Sequence, residues 1–140
     1  MDKFIKYKAS FRIGDEKLNP SEITKMLGID PDIAHRKGDP NTAISKKGKL
    51  IEFAPFNTGL WSINSKEDEY DTLECHIKSL LLLLYPLKDK LLELSSRGYK
   101  MDIFCGIFTN EFYESGFGVR SSLLLQMGEL NIELGVCIYT

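Results

Sequence analysis

Six consecutive residues, His35-Arg36-Lys37-Gly38-Asp39-Pro40, concentrate the polar chemistry of the chain. Arginine offers a planar bidentate fork, lysine a point charge and glycine a close backbone approach, a combination suited to holding an anion. His35 adds a group that exchanges a proton near neutrality. Trp61 would supply an apolar platform if the loop folded over it. A second reading uses the same residues structurally: Arg36 and Asp39 pair with each other, Gly38 serves the turn and Trp61 fills the core. His35, Arg36, Lys37, Asp39 and Trp61 are therefore candidate ligand- or partner-binding residues, because specific polar residues on loops are where binding concentrates.

Covalent and metal chemistry find no comparable cluster. A nucleophile needs a base beside it, yet Asp102 and Cys105 lie three apart in a strand pattern and point to opposite faces. Cys75 and His76 are adjacent in a helical pattern and diverge. Gly116-Phe117-Gly118 lacks the third glycine of a dinucleotide fingerprint, and no Gly-Lys-Ser or Gly-Lys-Thr phosphate loop occurs. His35 and His76 have no second ligand at the short spacing that clasps a metal. The sequence thus predicts no metal and no cofactor and leaves any catalytic residue unidentified, and a binding module is expected over an enzyme.

The elements that position the candidates follow from periodicity. Ile5, Tyr7, Ala9, Phe11 and Ile13 alternate with polar residues, a strand with one buried face. Asn19-Pro20-Ser21-Glu22 caps a short helix that Gly28 ends. Residues 30 to 57 hold three of the five prolines and read mainly as loop, with a short strand over Lys49 to Phe53 as the alternative. Gly59 to Ser65 reads as a strand with Trp61 and Ile63 on one face. Asp71, with Glu74, caps a long helix whose Leu73, Ile77, Leu80, Leu81 and Leu84 share a stripe, and Pro86 forces a restart. Tyr99 to Thr109 and Gly116 to Val119 read as strands. Ser121 caps a helix that runs through Leu130 with Asn131 as its left-handed terminus, and Ile132 to Ile138 reads as the last strand. The order β-α-β-α-α-β-β-α-β predicts an α+β fold: a mixed or mainly antiparallel sheet with helices largely on one face, a ferredoxin-like variant.

A chain of 140 residues, 43% apolar, is one domain with one core. Its net charge of −2 gathers no polyanion, although residues 1–50 carry eleven Lys or Arg against seven Asp or Glu. Lys6, Lys8 and Arg12 share a strand face and Lys46, Lys47 and Lys49 lie in the loop. The aromatic residues beside the strand cations, Tyr7 and Phe11, fall on its buried face and none lies among the loop lysines, so no platform to stack bases joins these stretches and nucleic acid is not the expected partner. The opening residues break every apolar run with a charge, and the longest leucine run ends at Tyr85-Pro86, so neither a signal peptide nor a membrane span is expected. Three dispersed cysteines fit reduced thiols and a cytoplasmic protein.

Several segments together resemble a known family. They are Leu18-Asn19-Pro20 through Leu27-Gly28-Ile29, Ala34-His35-Arg36-Lys37-Gly38-Asp39, Thr58-Gly59-Leu60-Trp61, Arg97-Gly98-Tyr99 with Cys105, and Ile138-Tyr139. They resemble the bacterial family catalogued as domain of unknown function 4279, over nearly the whole chain. The Arg-Lys-Gly-Asp element followed by Gly-x-Trp is the most specific part. The resemblance implies a single-domain bacterial protein and brings no reaction or catalytic residues with it.

The expectation is a cytoplasmic binding or interaction module that covers a protein partner, as an antidote covers a toxin. The alternative is a receptor or enzyme holding a small anionic ligand near the 30–57 loop, with Arg36 on the anion and His35 as acid or base. Leu82 points away from the helical stripe, which admits a homodimer through the long helix.

Overall fold

The computed structural model describes residues 2–110 and 116–140. At the centre of a five-stranded sheet lies β1 (Ile5–Asp15), the strand with the clearest alternation. After it, Asn19 caps α1 (Pro20–Leu27) by accepting from the Ser21 amide at 3.2 Å, and Gly28 ends it at φ 71°. Then come β2 (Ile33–His35), β3 (Asn41–Ile44), β4 (Leu50–Phe53) and β5 (Gly59–Asn64). Next, α2 (Leu73–Leu84) breaks at a 3-10 turn containing Pro86, and the chain restarts as α3 (Lys88–Ser96). The remaining elements are β6 (Lys100–Thr109), α4 (Ser121–Glu129) and β7 (Glu133–Tyr139).

The main sheet has the order β2-β5-β1-β6-β7. Its pairings are antiparallel except β6 with β7, which run parallel and are joined through α4, since parallel neighbours need a crossover. This is a mixed α+β fold with an antiparallel-dominated sheet.

Register explains which face is buried. Phe11 stands opposite Ile63 on one side and Ile103 on the other, and Ile13 stands opposite Trp61 and Met101. All of these are buried, and they join Ile23 and Leu27 of α1, Leu80 and Leu84 of α2, Leu91 and Leu94 of α3, and Leu123 and Met127 of α4 in one core. Each such side chain removed from water contributes on the order of 2 kcal/mol. The helices therefore cover this face. On the other face Lys8, Arg12, Phe104, Phe108 and Tyr139 lie with no helix of the described residues over them.

Three details depart from expectation. Gly116 to Val119 forms no strand, because both edges of β6 are already taken by β1 and β7 and no edge is left to pair with. Two caps shift by one residue: Thr72, not Asp71, caps α2, its hydroxyl accepting from the Cys75 amide at 3.2 Å, and Arg120, not Ser121, stands at the N-cap of α4, without a side-chain bond. The 30–57 stretch contains three short strands, of which the expected 49–53 strand is β4.

Candidate interaction surface

The pairing of β2 with β5 decides what the polar cluster can do. Ala34 stands opposite Trp61 and His35 opposite Leu60. Side chains alternate across a strand, so His35 faces the helix-free side while Trp61 faces the helices. The indole is fully buried, packs edge-on against Phe11 at 6.4 Å, and donates from Nε1 to Thr24 Oγ1 at 3.0 Å. Trp61 is a core residue, and no site unites it with His35.

The other four candidates stay together as a turn. The Asp39 carboxylate accepts from the Arg36 amide at 2.7 Å, and the Asp39 amide donates to the Arg36 carbonyl at 3.2 Å. Gly38, at φ 88°, occupies the left-handed region the bend requires and donates to the Phe56 carbonyl at 2.7 Å. The Phe56 amide returns a bond to the Asp39 carbonyl at 3.1 Å, and its ring stacks on His35 at 3.5 Å. Lys37 reaches Glu16 at 3.6 Å. The Asp39 carboxylate is thus spent on the Arg36 amide, while the Arg36 side chain is exposed with no partner among the described residues. These contacts clamp the two ends of the segment that follows.

That segment, β3 with β4, is a two-stranded hairpin separate from the main sheet. Ser45 and Lys49 close it through two hydrogen bonds, the Gly48 amide adds a third to the Ser45 carbonyl, and Gly48 at φ 78° ends a three-residue Lys46-Lys47-Gly48 loop of the type that needs a left-handed third residue. Ile44 stands opposite Leu50 on one face, and Ala43 opposite Ile51 with Phe53 beyond on the other. Ile44 is 74% exposed, Leu50 57% and Phe53 54%. Lys46, Lys47 and Lys49 stand at the turn of this hairpin, and Arg36 and Lys37 lie in the turn that precedes it, against Asp39 and Glu52 in the same stretch. Sequence reasoning missed Ile44, Leu50, Ile51 and Phe53. The available signal was the Lys-Lys-Gly turn between two pairs of apolar residues.

Two polar sites lie elsewhere. On the helix-free face Arg12 grips Asp102 with two bonds of 2.9 and 2.6 Å and lies 4.4 Å over the Phe104 ring. The hydrogen bond to Asp102 raises the guanidinium pKa further, against the smaller lowering effect of burial. A cavity of about 210 Å³ opens there over Gly14, Leu60, Lys100 and Glu133. Near the start of α2, buried His76 bonds Ser65 Oγ through Nδ1 at 2.9 Å, beside a cavity of about 280 Å³ that also borders Glu67 and Glu69. None of the four turn residues lines either cavity.

Burial pushes the Cys105 thiol up to about 12, with the Asp102 charge adding to the effect, so no thiolate forms near neutral pH. Among the described residues no three His, Cys, Asp or Glu side chains gather to hold a metal, and no helix is long and apolar enough to cross a membrane.

Fold and surface together describe an α+β protein that holds a cationic, apolar hairpin away from its core. The chain belongs to the family Domain of unknown function (DUF4279), whose model matches residues 5–140. Comparison with curated proteins and with solved structures returns no match.

Proposed function

We propose that this protein is a non-enzymatic binding module of the cytoplasm, and that it covers an acidic protein partner with the hairpin arm of β3 and β4. The carrying observation is the Ile44 and Leu50 pair, opposite each other near the arm's tip and more than half exposed. An isolated hairpin is marginally stable in water, and apolar side chains displayed on it gain most by docking. The lysines at the tip add attraction for an acidic rim around an apolar groove and set the orientation of approach. Three free cysteines, one of them exposed, support a reducing compartment. An antidote that covers a toxin surface is the version this chemistry suits.

The test compares the full chain with the Ile44→Asp, Leu50→Asp double variant. A partner purified on the wild-type chain is remade and titrated against both. The proposal expects an acidic partner, binding that weakens at least about 100-fold in the variant, and affinity that falls with salt. Binding unchanged by the double substitution would remove the arm from the interface. A small anion that binds at Arg36 and stabilises the protein thermally would support the receptor alternative instead.

A further inference from the structure

The two edges of the main sheet are treated differently. The β2 edge is three residues long and follows Pro31, two of the usual devices that stop strands from recruiting one another. The β7 edge has none of them. It runs for seven residues without proline, lysine or arginine, and among the described residues no backbone bond engages its outer side. Leu134, Val136 and Ile138 pair with Ile103, Cys105 and Ile107, so they share the helix-covered face, yet they remain 37%, 38% and 42% exposed. The helical layer stops short of this edge.

The geometry points to a second copy of this chain as the occupant: two β7 strands pair antiparallel about a two-fold axis through Val136, joining two five-stranded sheets into one of ten strands. The strand is self-complementary in the register that overlaps all seven residues. Val136 then faces Val136 of the second copy, Leu134 faces Ile138, and Gly135 faces Cys137. Glu133, the strand's one charge, falls opposite Tyr139 at the far end and never meets its own like charge. A two-fold interface uses the same patch twice, and in this register the patch matches itself in apolarity and sets no like charges together. An extended peptide would also find backbone partners here, but only a second β7 supplies this row of matching residues with its own partly bare apolar face. The arm and this edge lie at opposite sides of the sheet, so dimerisation leaves the arm free.

The experiment is sedimentation of the full chain at micromolar concentrations. Wild type is expected to run as a dimer. Val136→Lys sets two ammonium groups against each other on the axis and is expected to give a folded monomer, its fold checked by circular dichroism. Leu82→Lys, on the exposed side of α2, is expected to leave the dimer intact. Val136→Cys is expected to form a disulfide-linked dimer under copper phenanthroline, which needs no destabilising substitution. A wild-type monomer overturns the inference, as does a dimer that survives Val136→Lys or dissociates on Leu82→Lys. A wild-type monomer whose β7 captures a strand-forming peptide overturns it too, since the occupant is then not a second copy.

Discussion

Ala34 pairs with Trp61 across β2 and β5, and that single register places the neighbouring His35 on the opposite face of the sheet from the indole. The polar cluster and the tryptophan, which look like parts of one site in the sequence, are thereby assigned to separate duties. Trp61 closes the core. The turn from His35 to Asp39 anchors the arm.

The arm should be separable from the stability of the body. Ile44 and Leu50 rest on each other and on water, so replacing both by Ser is expected to change unfolding free energy by less than about 0.5 kcal/mol each. Urea denaturation of the double variant, compared with wild type, checks this. A large loss would mean that the arm packs on the body in solution.

Trp61→Phe should behave in the opposite way. The substitution removes the bond to Thr24 Oγ1 and leaves a void beside Phe11 in a fully buried site. The expected loss is ~2–3 kcal/mol, read as a fall in Tm of roughly 5–10 °C. Arg36→Ala, on the exposed turn, should leave Tm unchanged.

Two glycines give a paired prediction of opposite sign. A Cβ on Gly59 would lie 2.8 Å from both the Asp15 carbonyl oxygen and the Leu18 Cβ, so Gly59→Ala forces β1 and the following turn apart. A cost of ~1–3 kcal/mol is expected. Gly128, within α4, has open space around its missing Cβ, and Gly128→Ala should stabilise by about 0.5–1 kcal/mol through helix propensity and a less flexible unfolded chain. Thermal unfolding of the two variants side by side tests both.

The signals that read correctly from sequence are local ones. Asn19 and Gly28 cap α1 through bonds within a few residues, Asn131 takes its left-handed turn at φ 56°, and Pro86 breaks the helix by lacking an amide hydrogen. What stayed hidden depends on distant partners. The side of the sheet that Trp61 faces relative to His35 is set by β2 finding β5, and the fate of Gly116 to Val119 is set by β7 having claimed the β6 edge. The arm was obscure for another reason: Ile44, Leu50 and Ile51 are wet, so no buried face imposes the alternation by which strands are recognised. The polar turn was legible as a cluster, but its backbone bonds, which make Asp39 structural, require Phe56 from the loop between β4 and β5 beside it.

Acid sensitivity should trace in part to Asp32. Its carboxylate holds Lys66 at 2.8 Å and accepts from the Asn64 amide at 2.7 Å. The Lys66 hydrogen bond, then the backbone bond, hold its pKa below the usual aspartate range. A depressed folded-state pKa means that the unfolded chain takes up the proton first on acidification. The stabilisation is therefore present above about pH 4 and is lost as pH falls through the folded value. Because the group is largely exposed, solvent screening limits it to a few tenths of a kcal/mol, on the order of 0.3. Asp32→Asn should remove that increment at pH 7 and converge with wild type at low pH, measured by urea denaturation across the range.

The three thiols should react in an order set by access and ionisation. Cys75 is exposed at the start of α2, Cys137 is half-buried on β7, and Cys105 is fully buried with its thiol raised to about 12. Only the thiolate attacks a disulfide reagent, and both burial and the raised pKa deny it at Cys105. Titration of the native protein with an aromatic disulfide should therefore release a fast equivalent from Cys75, lost in Cys75→Ser, and a slower one from Cys137. Cys105 should react only at the rate of global unfolding, so its labelling should accelerate with urea in step with the loss of the fold. Prompt labelling of Cys105 in native buffer would show that β6 opens locally. The sheet centre would then be less stable than its packing between β1 and β7 implies.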